Sequence, residues 1–277
     1  MKNILILTDF SQKSWNSIEY TLNIFQNNTC IFYLLYADNS IENDFEYTDD
    51  NLEQVKVKNT VNSKIQKLVN KIDVSPLKGN HVFIPISAEN DIIETSKVIA
   101  KEKEIDLIVV STDTINSKGK ITIDTISEDI ITKVKCSVLA IPKKASFKGL
   151  KEIVFPTDYT NFYEAKLLED LMNLLGYYKS SLRFLYLAKK DEELNKEQIW
   201  NKETLHDYFK DQPHSFHSEI NEKLEVSIEN LTSKIEVSLI VVAAKNLNIL
   251  EQILFRPQQD NLKYYTKLPF LALHQSN

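Results

Sequence analysis

The sequence predicts an α/β protein of doubly wound, parallel-sheet type, built twice along one chain of 277 residues. Three observations carry this expectation. Leu107 to Val110 and Ser137 to Ile141 are short runs rich in Val and Ile, separated by a helix-length segment, which is the signature of a parallel βαβ unit. The same design returns from Ser238 to Ala243 (SLIVVA) and from Pro269 to Leu273 (PFLAL). Finally, the opening KNILILTDFS, Lys2 to Ser11, is echoed by KEIVFPTDYT, Lys151 to Thr160, aligned as strand, Thr-Asp, aromatic, hydroxyl.

Each element follows in order. Asn3 to Leu7 is a first strand, and Thr8-Asp9-Phe10-Ser11 turns into a helix with Ser11 as N-cap. Trp15, Ile18, Leu22 and Phe25 recur at helical spacing on one face. Cys30 to Tyr36 is apolar almost throughout, as expected of a strand covered on both faces. Asp38 to Asp50 carries six acidic residues and no basic one, and reads as a solvated loop, with a cation or partner site as the alternative. Leu52 to Ile72 is a long amphipathic helix facing inward through Leu52, Val55, Val61, Ile65, Leu68 and Ile72. His81 to Ile86 is the third strand and Asp91 to Lys103 the third helix. Leu107 to Val110, a polar connection containing Gly119, a helix from about Ile126 and Ser137 to Ile141 complete five strands and four helices.

Lys143 to Gly149 (KKASFKG) is basic and polar with a terminal glycine, a credible boundary between two domains at 1–145 and 150–277. In the second copy, Asn161 with Glu164 supplies a capping box ahead of a helix over Phe162 to Leu175. Strands follow at Leu182 to Leu187 and Ser215 to Glu219, with helices at about Asp191 to Phe209 and at Glu222 to Lys234. Two copies of one unit are favoured over a single large sheet, since the internal period coincides with ordinary domain size.

Composition narrows the function. With 43% apolar residues the chain can bury one large core or two ordinary ones. A net charge of −6 offers no broad basic surface to nucleic acid or to an anionic membrane. No apolar run approaches the roughly 20 residues of a spanning helix, and MKNILILTDFS reads as a strand rather than a signal peptide. Cys30 and Cys136 sit inside strand patterns, which suits buried thiols in a reducing cytosol better than a disulfide. The expectation is a soluble, cytoplasmic protein.

The pair TDFS/TDYT after the first strands, IDLIVVS before a glycine-poor loop, and ISEDIITKVKCSVLAIP together resemble the universal stress protein family. Its members show a strand ending in Pro-Thr-Asp, a Gly-x-x-Gly-x9-Gly-Ser/Thr loop and a final Cys-Pro-Val-Leu-Val-Val-Pro strand. The resemblance covers nearly the whole chain as two tandem copies and is weakest between Lys189 and Glu219. It implies two Rossmann-like, HUP-type domains, each a five-stranded parallel sheet of order 3-2-1-4-5 flanked by helices. It also implies an intramolecular pseudo-dimer in which the two fifth strands pair, with a homodimer as a further assembly.

Family members divide into ATP binders and non-binders at the glycine loop, where backbone amides must approach phosphate oxygens closely. Laid on the first copy, the three glycine positions fall at Ser111, Thr114 and Asp124, with Thr125 at the hydroxyl position. On the second they fall at Ala243, Asn246 and Arg256, with Pro257 at the hydroxyl position. None is glycine, and the four glycines of the chain are too few for two intact loops. A β-branched Thr114 in a left-handed slot would cost ~1–2 kcal/mol. Asp124 would face phosphate with a repulsion of about 4 kcal/mol at surface-like dielectric. Pro257 removes an amide donor outright.

Part of an adenosine site survives. Asp9 and Asp158 match the family's acidic residue that contacts adenine and ribose, and Pro156 matches the preceding proline, which Leu7 replaces in the first copy. The plainer reading is that each Asp begins a first helix. The candidate nucleotide residues are therefore Asp9, Ser111, Thr112, Thr114, Thr125 and Asp158, with the first copy the better host because small hydroxyls there neighbour Gly119. Arg256 pairing with an anion is weaker still, since an exposed arginine is ordinary surface.

His206, His214 and His217 invite a zinc reading, but His214 and His217 are three apart on a strand and point to opposite faces. Tyr177-Tyr178 and Tyr264-Tyr265 read as packing rather than contact surface. Gly-x-Ser-x-Gly, His-Glu-x-x-His and Gly-Lys-Ser/Thr are all missing, so hydrolase, zincin and P-loop readings lack their central groups, and no catalytic or metal-binding residue is assigned. The expectation is a regulatory or scaffolding protein of the stress response that acts through protein partners without a cofactor. The alternative is a switch that binds ATP or AMP, with ATP accompanied by Mg, in the first copy. An enzyme of the wider nucleotide-binding α/β group would need a pyrophosphate-gripping Ser-Gly-Gly motif, which the sequence lacks.

Overall fold

A computed structural model describes residues 1–36, 63–87, 91–112, 114–115, 121–122, 125–188, 193–220, 224–246, 249 and 268–274. The acidic stretch Asp38–Asp50, the start of the Leu52–Ile72 helix, Gly119, Asp124, Arg256, Pro257, Tyr264 and Tyr265 lie outside the described residues. The first half runs β1 (Lys2–Thr8), α1 (Gln12–Phe25), β2 (Cys30–Tyr36), α2 (63–73), β3 (Val82–Ser87) and α3 (Ile92–Glu102). It continues with β4 (Leu107–Ser111), β5 (Thr114–Ile115), β6 (Ile121–Thr122), α4 (Thr125–Lys133) and β7 (Val138–Ile141). The second half runs β8 (Glu152–Thr157), α5 (Ala165–Tyr178), β9 (Ser181–Ala188), α6 (Lys196–Tyr208), β10 (His214–Ile220), α7 (Leu224–Thr232), β11 (Val237–Ala243) and β12 (Phe270–Leu273).

The sheet order is β10-β9-β8-β11-β12-β7-β4-β1-β2-β3. Within each half this is 3-2-1-4-5, with parallel neighbours throughout. The two fifth strands pair antiparallel, setting Phe270, Leu271 and Ala272 opposite Ala140, Leu139 and Val138. The two units stand as expected, and their fifth strands pair as the resemblance implies. The two five-stranded arrays join edge to edge into ten strands, because unpaired strand edges are a liability and a second copy satisfies them.

Alternation explains why both faces of the sheet can be covered. Ile4 and Ile6 of β1 enter one apolar cluster with α1, α2, α5 and α6, whereas Leu5 and Leu7 enter the other with α3, α4 and α7. A strand buried on both faces reads as a continuous apolar run, which is how CIFYLLY and LIVVS read. Ile65, Leu68 and Ile72 are buried as the helical spacing requires, and Lys71 lays its ammonium 3.4 Å over the Trp15 ring. Both cysteines are free and buried. Burial pushes the Cys136 thiol up to about 12, and its Sγ donates to the Ile105 carbonyl at 3.3 Å.

The linker is packed on both halves, and two local expectations, the capping box at Asn161 and the start of α6, are corrected. Phe147 sits edge-on to Tyr20 at 5.4 Å and to Tyr178 at 6.2 Å, and Asn16 Nδ2 donates to the carbonyls of Pro142 and Ala145. Tyr178 also donates its hydroxyl to the Ile24 carbonyl, tying α5 to α1. The capping box at Asn161 does not form, because α5 begins later, after Glu164, and Asn161 spends its amide on Thr160. The chain places that device on α6, where Asn195 and Gln198 exchange both bonds at 2.9 and 3.0 Å, so α6 starts at Lys196 rather than near Asp191.

His81 is buried against Phe32 and Phe83, and neither ring nitrogen has a hydrogen-bonding partner among the described residues. Burial pushes it below its ordinary 6.5, so the unfolded chain binds the proton more readily than the folded one. Stability therefore falls as pH drops below 6.5, until the lower folded-state value is passed. His81→Phe is expected to flatten that slope in urea midpoints measured between neutral and acid pH. At the seam, Phe270 is fully buried, and Phe270→Ala is expected to cost about 3–5 kcal/mol in equilibrium unfolding.

Candidate functional site

In open α/β sheets the carboxyl ends of the strands are where ligands settle, so the site is built outward from β1 and β8. At the end of β1, Thr8 Oγ1 accepts from the Phe10 amide at 3.2 Å and lies 3.1 Å from Ser14 Oγ. Asp9 Oδ1 accepts from the Ser11 amide at 2.9 Å, and Ser11 caps α1 by accepting from the Ser14 amide. Phe10 is left-handed at φ +60°, a strain of about 1–3 kcal/mol that its stack on Tyr36 at 4.5 Å helps to hold. The second copy repeats the turn, though not the side-chain cap. Thr157 Oγ1 accepts from the Tyr159 amide at 3.1 Å and lies 3.0 Å from the Tyr163 hydroxyl. Asp158 Oδ1 accepts from the Thr160 amide at 3.1 Å, and Tyr159 at φ +57° packs on Tyr186 at 5.1 Å.

The two Asp residues then diverge. Asp9 is exposed, 3.9 Å from the Lys13 ammonium. Partial burial would raise its carboxyl, but bonds from Ser11 and Ser14 and the charge of Lys13 outweigh this and hold it below the ordinary 3.8. Asp158 is instead taken up by its own chain. Buried Asn246 donates Nδ2 to Asp158 Oδ1 at 3.1 Å and accepts the Ile249 amide on its Oδ1 at 3.2 Å. From α6, Gln198 donates to the Asp158 carbonyl at 2.9 Å and buried Asn201 to the Tyr159 carbonyl at 2.8 Å. Tyr163 is buried beneath, its hydroxyl pushed up to about 12 by burial.

Ser111 closes β4 beside β1 and accepts Ser127 Oγ on its carbonyl at 3.0 Å. Thr112 is buried and donates its amide to Ile141 at 3.2 Å. Thr125 is the exposed first residue of α4, whose first turn carries Glu128. Where a phosphate cradle would run, the backbone at Thr114 and Ile115 is laddered antiparallel to Thr122 and Ile121. The structure thus brings Asp9, Ser111 and Thr112 to the carboxyl ends of adjacent strands, and sets Asp158 apart in the second half. The β5–β6 pair and the Asn246–Asp158 bond have no signal in periodicity. The Asn195-x-x-Gln198 spacing was a readable signal for α6.

The histidines separate as expected in one respect and not in another. His217 turns away from His214 and bonds Ser215 Oγ through Nε2 at 2.8 Å. Arg183 donates to that same oxygen at 2.9 Å while gripping Glu152 with two bonds of 2.7 and 3.1 Å. Burial first, then Arg183 and Lys234, push His217 below its ordinary value. His206, however, reaches His214, with Nδ1 2.9 Å from Nε2, because α6 packs its last turn over the start of β10. His214 Nδ1 donates to the Gln212 carbonyl at 2.9 Å, so its Nε2 accepts from His206. Among the described residues no cluster of His, Cys, Asp or Glu could hold a metal ion. Among them, too, no helix is long and apolar enough to cross a membrane.

Comparison with known proteins places this geometry. The sequence model described as "Universal stress protein family" matches residues 1–142. Among solved structures, a universal stress protein from Archaeoglobus fulgidus DSM 4304 superimposes with a TM-score of 0.68 at 13% identity, covering 99% of this chain and 97% of that one. A functionally unknown protein from Pseudomonas aeruginosa PAO1 superimposes with a TM-score of 0.59 at 13% identity, covering 99% and 92%. At that identity the likeness is one of fold. No curated protein matches the sequence. Asn246→Ala is expected to cost about 1–3 kcal/mol by leaving Asp158 short of a donor, and to cost less once Asp158→Ala is in place. A double-mutant cycle in urea measures the difference.

Proposed function

Because the chain belongs to the universal stress protein family, we propose that it is a regulatory or scaffolding member of the stress response that works through protein contacts and without ATP. The observation that carries this reading is the hydrogen bond from buried Asn246 to Asp158. A side chain of the protein occupies the acidic group that an adenosine would need. In the first half, the ladder between Thr114–Ile115 and Ile121–Thr122 commits backbone that a phosphate cradle would have to leave open. Glu128 at the start of α4 sets a negative charge where an anion would meet the positive helix end. The residues present do not fit a triphosphate, and no catalytic step is assigned to them.

The functional units are the segments 1–145 and 150–277, acting as an internal dimer in the cytoplasm, with a homodimer as the next level of assembly. The stacked pair Phe162 and Trp200, each 55% exposed with rings 5.7 Å apart, suits contact with a protein partner. One observation favours a second reading, a switch that binds ATP or AMP in the first half. Asp9 stays exposed and readily ionised beside Ser111 and Thr112, with no counterpart of Asn246 bonded to it among the described residues.

Thermal melts with and without ATP and magnesium separate the two. A ligand held at a hundred times its Kd adds about 2.7 kcal/mol of stability. The expected outcome is an unchanged midpoint at millimolar ATP. A rise of several degrees that Asp9→Ala abolishes would establish the switch, and phosphate release above a protein-free blank would establish an enzyme.

A further inference from the structure

A cavity of about 530 Å³ lies beside the seam, within the roughly 300–1,000 Å³ of small-molecule sites. Its floor is sheet from both halves (Leu139, Leu239 and Leu271), and its walls are Ile24 and Phe25 from the end of α1 and Leu174 from α5. For the first half this is the end opposite Asp9 and Ser111, since the rim holds Lys2, Asp106 and Lys135 from the starts of β1, β4 and β7. The charges at the rim are not balanced. Lys166 is paired with Asp170 at 2.6 Å, and Asp106 accepts the Asn3 amide at 2.7 Å. His274 donates Nε2 to the Ile131 carbonyl at 2.9 Å. Lys2 and Lys135 are exposed and have no ion pair among the described residues.

We propose that this cavity binds a small amphipathic anion, a medium-chain fatty carboxylate, with its head at the lysine-bearing rim and its chain against the Leu139–Leu271 floor. The apolar lining asks for a hydrocarbon body, for which each buried methylene raises affinity by roughly fourfold. Lys2, Lys135 and Lys166 against Asp106 and Asp170 leave the rim one net positive charge, which asks for one negative charge that a neutral lipid cannot supply. The concave shape, enclosed by α1 and α5 together, suits a small molecule rather than a protein surface. Such a ligand touches both halves at once, so its occupancy is sensed at the seam. The proposal is independent of whether either crevice holds a nucleotide.

The test is calorimetric titration of the full chain with decanoate and with decan-1-ol, both below the concentrations at which they self-associate. Saturable binding of one decanoate per chain is expected. The Lys2→Gln/Lys135→Gln double variant is expected to weaken it by tenfold or more, and decan-1-ol to bind at least as weakly. Leu174→Trp fills the cavity and is expected to abolish binding while leaving the far-ultraviolet circular dichroism intact. Should that variant not fold, the lysine variant decides, since both lysines are exposed. Lack of saturable binding to the wild-type chain overturns the proposal. So does decanoate binding that is unchanged in the double variant or equalled by decan-1-ol.

Discussion

The antiparallel ladder between β7 and β12 is the constraint on which the rest of the molecule depends. Only three residue pairs register across it, Phe270 with Ala140, Leu271 with Leu139 and Ala272 with Val138. Each five-stranded array would otherwise present a bare row of amides and carbonyls at its fifth strand, and pairing the two removes both edges at once. Antiparallel pairing also reverses one half against the other. The carboxyl ends of the first half and those of the second therefore face opposite ends of the molecule, and their two crevices cannot cooperate on one ligand. Tyr178 on the Ile24 carbonyl and His274 on the Ile131 carbonyl add polar locks across the same join. Phe147 wedges the linker between Tyr20 and Tyr178.

Reversal explains why the two halves keep one local device and yet differ in what surrounds it. The turn after each first strand is the same object twice: a Thr hydroxyl under an amide, an Asp cradling the next one, and a left-handed aromatic packed on the tyrosine across the ladder. Thr8 registers with Tyr36, and Thr157 with Tyr186. This turn is structural in its own right, because its hydrogen bonds and its ring contact are satisfied within the chain. An Asp at that position is therefore weak evidence of a ligand. What distinguishes the halves lies outside the turn, in Asn246, Gln198 and Asn201, which close the second crevice from β11 and α6.

The alternation of strands and helices is legible in the sequence because two-sided burial leaves continuous Val, Ile and Leu runs that no surface strand carries, as in CIFYLLY and LIVVS. The doubling is legible because the turn needs the same residue types each time. The β5–β6 ladder is not, since two-residue strands have no period to read. Nor is the contact of His206 with His214, which depends on how α6 crosses β10 rather than on spacing along the chain. The sequence offers a capping box at Asn161 because Asn-x-x-Glu satisfies the pattern there. Asn195-x-x-Gln198 satisfies it as well, and only packing of α6 over the Asp158 turn chooses between them. The missing glycines were the most informative signal for the candidate site, as a cradle of bare amides cannot be imitated by side chains.

The turn at the end of β8 and the join between the halves are packed differently. The second half shows what closing a crevice involves. Four buried groups gather there, with Tyr163 bonded to Thr157, Asn201 to the Tyr159 carbonyl, and Asn246 to Asp158 and the Ile249 amide. Among the described residues nothing comparable fills the cavity beside β7 and β12, where the lining is mostly apolar and Lys2 and Lys135 stand at the rim. A void between packed halves forfeits dispersion contacts, and its closure would take no more than larger side chains on α1 or α5. A chain that packs its linker, caps α6 with a reciprocal box and plugs its second crevice has the means to close that gap. An occupant seated where the two halves meet would restore those contacts to both.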